Sequence, residues 1–297
     1  MALIPLTTDL PLPDGEQGRD KARGKGFPAG LFFSRRRLPL GARTAYVVLQ
    51  IRKPRVSPSR EPIFNLPRVV LVLALVLAAI HGVRVLLLEP ETDLQVLLWF
   101  AFVPARYGSE LLIDVQLPGG IAAGIWTFVT YAFLHGDVWH LGINLVWLAA
   151  FGSPLAWRFG TARFLAFSAV TAAAGVLAHL ITHVGELVPV IGASAAISGA
   201  MAAATRFAFE EGGPLGGFRR YGPDAFKVPA APLSRALRNP QVLAFLGVWF
   251  FLNLMFGASA FAVGVADASV AWQAHVGGFL AGLLLFPLFD PVRAPPQ

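Results

Sequence analysis

The feature that most constrains the fold is a series of apolar runs of about 20 residues, separated by polar connections. A run of that length crosses the hydrocarbon core of a bilayer when it is helical. The runs are continuously apolar rather than alternating, which argues against a β-barrel. Charged residues make up 14% of the chain, well below the share of about a quarter in soluble proteins. The sequence therefore predicts an all-α polytopic membrane protein.

The apolar runs divide into six predicted transmembrane helices. They cover approximately residues 68–88, 125–151, 164–183, 193–209, 240–256 and 268–289. Residues 89–120 mix polar and apolar positions, so we expect a partly embedded loop there. Lys and Arg concentrate in the N-terminal region, around Arg158 and Arg163, in residues 210–239 and at the C-terminus. Because positively charged loops stay in the cytosol, this distribution predicts that both termini are cytosolic.

The basic residues also help to define the predicted domains. Residues 1–66 hold half of the 24 Lys and Arg side chains and are rich in Pro and Gly, which predicts a disordered cytosolic extension. A six-helix membrane domain, 67–290, and a short cytosolic tail, 291–297, follow. The net charge of +7 therefore fits topology and lipid headgroups better than nucleic acid. Because the chain has no cysteine, disulfides, thiol catalysis and Cys-based metal sites are excluded.

Polar side chains inside apolar runs are costly, so they are the first candidates for function. The candidates are Ser194, Ser198, His275, His140, Asn144, His179, His183 and Asn253. His179 and His183 lie one helical turn apart, but a metal site would need further ligands and the HExxH motif of zinc proteases is absent. We therefore expect no metal. A solute transporter is disfavoured because the two halves of the chain lack a matching pair of Gly- or Pro-interrupted spans.

One apolar run, VPVIGASAAISGAMAAA, consists mostly of small residues and carries Ser194 and Ser198. Small side chains let helix backbones approach closely, so we expect this helix at the centre of the bundle. His275 shares one face of the last predicted span with Gly278 and Gly282. Close crossing would bring Ser194 within reach of His275, the usual base for a serine nucleophile. The alternative is a structural hydrogen bond between packed helices, and the pair alone does not decide between the two.

His140 and Asn144 are spaced i, i+4 and so share one face of the second predicted span. Both side chains donate hydrogen bonds while uncharged, which suits them to stabilise an oxyanion inside a membrane. For this pair taken alone, the favoured alternative is a hydrogen bond that holds two helices together.

Three motifs that contain these residues occur in the order of a known family. FLHGDVWHLGINLVWLAAFG at 133–152 carries an HxxxN pair, VIGASAAISGAM at 190–201 carries a GxS element, and QAHVGGFLAGLLL at 273–285 carries AHxxG. Together with FVPARY in the first loop, they resemble the rhomboids, a family of intramembrane serine proteases, over roughly residues 90–290. The resemblance implies a six-transmembrane-helix rhomboid-like bundle.

By this resemblance, Ser194 is the nucleophile, and His275 is first the general base and then the general acid. Asn144, His140 and the backbone N–H of Ser194 form the oxyanion hole. The implied activity is a serine endopeptidase that cleaves the transmembrane segments of single-span membrane proteins within the lipid bilayer. Neither a metal nor an organic cofactor is implied. The expected location is a bacterial inner membrane.

The sequence departs from the family at one position near the serine. The family motif is GxSG, but this sequence has Ala195 at the position of the second glycine. A methyl group there could narrow the approach of the last span or of the substrate. Ala195 therefore raises the alternative of an inactive relative that binds transmembrane clients. Ser198 and Gly199 form a second Ser-Gly pair. We prefer Ser194 as the nucleophile because Gly192 precedes it by two residues and because it is predicted to lie nearer the outer surface.

Overall fold

The part of the chain that the structure describes comprises four ranges. A computed structural model describes residues 66–108, 117–218, 222–262 and 271–292. All of them belong to one compact unit, Leu66–Gln297. The predicted extension 1–66, apart from its last residue, and most of the predicted tail 291–297 lie outside the described residues, so both stay predictions.

Within these ranges the chain forms α-helices joined by shorter turns. The helices are α1 Arg68–Leu87, α2 Pro90–Phe100, α3 Gly120–Thr130, α4 Val138–Trp147, α5 Ser153–Phe159, α6 Thr161–His183, α7 Ser194–Ala204, α8 Leu233–Ala236, α9 Pro240–Ala262 and α10 Trp272–Phe289. Turns of 3₁₀ helix occur at Pro104–Tyr107, Tyr131–Phe133 and Gly222–Lys227, and a π-helical turn at Leu148–Gly152 joins α4 to α5.

Four segments in the described residues are long and apolar enough to cross a bilayer. They are α1, the continuous Val138–Phe159 segment formed by α4 and α5, α6, and α10. Three shorter apolar helices accompany them, namely Gly120–Phe133, α7 and the Pro240–Met255 part of α9. These helices confirm the prediction of an all-helical, polytopic membrane chain.

The predicted second span, 125–151, is wrong at its start. The structure ends α3 and its 3₁₀ turn before residue 134 and begins α4 at Val138. The carboxylate of Asp137 accepts hydrogen bonds from the N–H groups of Trp139 and His140, at 2.7 and 2.9 Å. A side chain that satisfies these first N–H groups starts a new helix. The apolar pattern runs through this point, but the backbone does not continue as one helix.

Residues 89–120, predicted as a partly embedded loop, contain α2 and a 3₁₀ turn. A proline at the first position of α2 and acidic residues in its first turn favour a helix start. One of them, Asp93, pairs with Arg84 of α1, whose Nε lies 2.6 Å from Oδ1. Arg84 also donates to the carbonyl of His135, 2.9 Å away. This cluster ties α1 and α2 to the turn that precedes α4.

The small-residue helix α7 is packed on nearly all sides. Ala195 and residues 197–204 are buried. A Cβ added to Gly278 of α10 would overlap the backbone of Ala195, and one added to Gly282 would overlap the backbone of Gly199. The backbones of α7 and α10 therefore touch along two helical turns, as the small faces predict.

A buried ion pair links α5 to Asp290, the residue that follows α10. Arg158 of α5 donates two hydrogen bonds to Asp290, at 2.9 and 2.8 Å, and the side chain of Arg158 is fully buried. It also donates to the carbonyls of Phe226 and Val228. Removing one partner leaves an unpaired buried charge, which costs about 3–5 kcal/mol. We expect Arg158→Ala to lower the free energy of unfolding by about that amount, measured in detergent micelles.

The chain offers a matched control for this loss. Arg235 pairs with Glu210 at 3.0 Å, but its side chain is 65% exposed. An exposed ion pair contributes about 0–1 kcal/mol, so Arg235→Ala is expected to be nearly neutral. Equal losses in the two variants would contradict a special contribution from the buried pair.

Candidate active site

Ser194 is the first residue of α7 and follows a sharp change of backbone direction. Val190 pairs with Phe102 through two backbone hydrogen bonds, at 2.8 and 3.1 Å, which holds the segment before α7 extended. Gly192 then adopts a φ of 118°, a region that side chains disfavour. Its N–H donates to the carbonyl of Tyr131 at 3.0 Å. These contacts fix the turn that presents Ser194.

The structure brings Ser194 and His275 into direct contact. The Nε2 atom of His275 lies 2.7 Å from the Oγ atom of Ser194. His275 lies in the first turn of α10, and the glycine contacts with α7 start one turn further along the same face. The two side chains are partly exposed rather than sealed in the core. A hydroxyl within hydrogen-bond reach of an imidazole nitrogen can pass its proton to that nitrogen.

His140 faces the same small space as Ser194. A Cβ at Gly192 would lie 2.7 Å from Nε2 of His140 and 3.8 Å from Oγ of Ser194. The missing side chain of Gly192 therefore leaves room between these two polar atoms. The Nδ1 atom of His140 accepts a long hydrogen bond, 3.5 Å, from the N–H of Gly136. With Nδ1 as acceptor, a neutral His140 carries its proton on Nε2 and can donate into this space.

Asn144 lies one turn further along α4 and is 3% exposed. Within the described part of the chain, its amide donates to the carbonyl of His140, 2.9 Å away, and not to Ser194. The structure therefore places Asn144 on the same helix face as His140 but without a hydrogen bond to the serine.

The start of α7 supplies further donors. The first hydrogen bond within the helix runs from the N–H of Ile197 to the carbonyl of Ala193, at 3.0 Å. The N–H groups before Ile197, including that of Ser194, have no partner within the helix because helix geometry provides none. The positive end of the helix dipole lies at the same place. Negative charge that develops beside Ser194 is thereby favoured.

A comparison with known families shows which family the chain belongs to. The family model described as Rhomboid domain matches residues 122–290, which is more than half of the chain. The chain belongs to the rhomboid family. The matched region contains Ser194, His275, His140 and Asn144. Rhomboids are in general serine intramembrane proteases, and this one is an integral membrane protein. No curated protein matches the chain.

The unusual Ala195 of this rhomboid has space for its methyl group. A Cβ added to Gly175 of α6 would lie 2.5 Å from the Cβ of Ala195. The methyl group of Ala195 therefore points at the gap that Gly175 leaves, on the side of α6. The same geometry holds Ser194 and His275 at 2.7 Å. The methyl group does not separate these two side chains.

Ser198, the second serine of this rhomboid helix, lies one turn further along α7 and is 5% exposed. The hydroxyl that contacts His275 is that of Ser194. His179 and His183 stack on each other with ring centroids 4.0 Å apart. No group of three or more His, Asp or Glu side chains that could hold a metal ion occurs in the described ranges.

Sequence reasoning missed the partner of the other nitrogen of His275. The Oδ1 atom of Asn253, on α9, lies 2.7 Å from Nδ1 of His275. The sequence identifies Asn253 as a polar residue inside an apolar run. Its separation from His275 along the chain does not predict that the two side chains are in contact. Only the packing of α9 against α10 brings the two side chains together.

Two titratable side chains, His135 and Asp137, lie next to His140 in the turn before α4. Burial, and then the neighbouring His140, lower the pKa of His135 to about 4. The two rings lie with centroids 5.1 Å apart. The hydrogen bond from the N–H of His140 lowers the pKa of Asp137. At neutral pH His135 is therefore uncharged, whereas Asp137 is ionised and caps α4.

Proposed function

We propose that this rhomboid is an active intramembrane serine endopeptidase that cleaves the transmembrane segments of other membrane proteins. The observation that carries the proposal is the 2.7 Å contact between Oγ of Ser194 and Nε2 of His275. It joins two helices whose backbones touch, inside a chain of a family of serine proteases. A structural hydrogen bond would not need the serine at a partly exposed helix start beside further donors.

The proposed reaction uses His275 to move one proton at a time. Oγ of Ser194 attacks the carbonyl carbon of the scissile peptide, and its proton passes to Nε2 of His275. The tetrahedral intermediate collapses when His275 returns that proton to the leaving nitrogen, which releases the amine and leaves an ester on Ser194. A water molecule then attacks the ester and gives a proton to His275. His275 passes that proton to Oγ of Ser194, which is the leaving group. This step frees the carboxylic acid product and restores the starting state.

The developing oxyanion would lie in the space over Gly192. We assign the donors as Nε2–H of His140 and the backbone N–H of Ser194, together with the amide of Asn144. Support comes from the Gly192 gap, which both His140 and Ser194 border. Asn144 has one amide hydrogen left after its bond to the His140 carbonyl. Neutral donors suit this position because a cation inside the membrane is costly.

The proposed substrate is a single-span membrane protein that enters from the bilayer. A helical segment hides its carbonyl groups in its own hydrogen bonds, so the segment must unwind locally before Ser194 can attack. Small or helix-loosening residues near the cut are therefore favoured. Water for the second step is expected to enter from the outer face, near the start of α7.

The proposed topology has six spans with both termini in the cytosol. The spans are α1, α4 with α5, α6, α7, α9 and α10, whereas α2 and α3 belong to an embedded first loop. Support comes from the Lys and Arg distribution, which favours the cytosol for residues 1–66 and 210–239. We propose the inner membrane of a bacterium as the location, with 67–290 as the membrane domain and 291–297 as a short tail.

The second candidate function is that of an inactive rhomboid that binds transmembrane clients. Ala195 is the feature that raises it, because the family has glycine at that position. The space beside Gly175 argues against this second function, because it accommodates the methyl group of Ala195. On this basis we expect Ala195→Gly to cleave at about the wild-type rate.

The test is cleavage of a model single-span protein by the purified chain in liposomes. A serine-directed fluorophosphonate, which forms a phosphorus–oxygen bond with an activated serine and releases fluoride, serves as a second readout. Cleavage together with probe labelling supports the protease. Labelling and cleavage that arise only in Ala195→Gly would support an enzyme disabled by one methyl group. Binding of the model protein without labelling in either chain would support the client-binding function.

A further inference from the structure

We propose that Asn253 is a positioning residue that holds His275 in the tautomer that a general base needs. The contact is close, because Oδ1 of Asn253 lies 2.7 Å from Nδ1 of His275. Asn253 is 8% exposed and comes from α9, a different helix from those that carry Ser194 and His275. The inference rests on the proposed protease function, in which His275 accepts the proton of Ser194.

A second contact fixes which end of the Asn253 amide faces the histidine. The Nδ2 atom of Asn253 donates a long hydrogen bond, 3.4 Å, to the carbonyl oxygen of Trp272. A carbonyl oxygen accepts hydrogen bonds and cannot donate them. The NH₂ group therefore faces Trp272, and the oxygen of the amide faces His275. This removes the ambiguity that an isolated amide would leave.

The amide orientation then decides the tautomer of His275. Oδ1 of Asn253 is an acceptor, so Nδ1 of His275 must carry a proton to make this bond. A neutral imidazole has one N–H, which leaves Nε2 with a free lone pair 2.7 Å from Oγ of Ser194. Nε2 is thus ready to take the serine proton. The other tautomer would donate to Oγ and could not accept from it.

An amide suits this position better than a carboxylate does. The orienting group of many serine proteases is an aspartate, whose charge must be stabilised. Asn253 lies in an apolar helix, where an ionised side chain is costly. Its uncharged oxygen still accepts the Nδ1–H bond, and the bond strengthens when His275 becomes an imidazolium. The chain therefore orients its base without a buried anion.

Packing between α9 and α10 keeps the amide in place. Trp249, one helical turn before Asn253, stacks on Phe279 of α10 with ring centroids 4.2 Å apart. Trp249 is 8% exposed. The position of α9 therefore sets the orientation of His275, although α9 supplies neither the nucleophile nor the base.

Two variants of Asn253 separate positioning from packing. Asn253→Leu keeps a similar size and removes the acceptor, whereas Asn253→Asp, when ionised, keeps an acceptor and cannot donate. We expect Asn253→Leu to lower kcat by about 10- to 100-fold with little change in KM, because the chemistry loses an oriented base. We expect Asn253→Asp to retain most of the rate. Its acid limb in the pH–rate profile moves to higher pH, because a carboxylate stabilises the imidazolium.

The tautomer is read directly by ¹⁵N NMR on histidine-labelled protein in liposomes, with His275→Ala to assign the signals. The wild type is expected to show Nδ1–H and a bare Nε2, and Asn253→Leu a mixture of both tautomers. Leu252→Ala, on the exposed face of α9, is the matched control and should match the wild type. A wild-type spectrum with the proton on Nε2 would overturn the proposal even if Asn253→Leu failed to fold.

Two further results would also overturn it. One is a folded Asn253→Leu with wild-type kcat and tautomer, and the other is a folded Asn253→Asp with an ionised carboxylate that is no faster than Asn253→Leu. Failure of the proposed protease function would give a different result, because the wild type would then neither cleave the substrate nor react with the fluorophosphonate. The NMR measurement needs no turnover, so it tests the role of Asn253 separately.

Discussion

Alanine in place of Ser194 or His275 is expected to abolish cleavage of a transmembrane substrate. In the proposed mechanism, Oγ of Ser194 attacks the substrate and Nε2 of His275, 2.7 Å away, accepts its proton, so neither side chain works without the other. In serine proteases the loss of either partner lowers the rate by about 10⁴-fold or more, and the double variant is little worse than either single one. The measurement is cleavage in liposomes, with melting temperature as the check on folding.

The control for this loss is Ser198→Ala, which removes a second serine from the same helix. Ser198 is buried one turn further along α7, and the hydroxyl next to His275 belongs to Ser194. We expect this variant to cleave and to label with a fluorophosphonate as the wild type does. If Ser198→Ala were inactive and Ser194→Ala active, the assignment of the nucleophile would be wrong.

Much of the candidate site could be predicted because its residues lie in local patterns. The spacing of His140 and Asn144 places them on one helix face, and the small residues around Ser194 predict a close helix crossing. The family motifs then put Ser194 and His275 in the same site. The family match confirms the resemblance, whereas the roles of the individual residues stay predictions.

The remaining features depend on contacts between distant segments. Asn253 and His275 meet only because α9 packs on α10. The gap at Gly175 takes the Ala195 methyl group, although the two residues lie on different helices. The missed break before α4 is different, because Asp137 is a local capping signal that the apolar pattern around it obscures. Hydropathy therefore predicts that helices are present more reliably than it predicts the residues at which they begin and end.

Alanine in place of Gly278 is expected to lower the cleavage rate strongly without changing Ser194 or His275 itself. A Cβ at Gly278 would lie 2.8 Å from the carbonyl carbon and 3.1 Å from the Cα of Ala195, with the carbonyl oxygen closer still. The atoms that it meets are backbone, so no side-chain rotation relieves the overlap. The helices α7 and α10 must separate, at an expected cost of about 3 kcal/mol in the free energy of unfolding.

Separation of the two helices also moves His275, which lies one turn before Gly278 on the same face of α10. A displacement of about 1 Å between reacting groups can lower a rate by about 100-fold. The control is Gly247→Ala in α9, where an added Cβ meets no heavy atom within 4 Å. That change should be neutral or stabilise the protein by up to about 1 kcal/mol, because alanine favours a helix more than glycine does. Melting in detergent and cleavage in liposomes measure both effects. A Gly278→Ala variant that matches Gly247→Ala in both would mean that backbone contact between α7 and α10 does not hold Ser194 and His275 together.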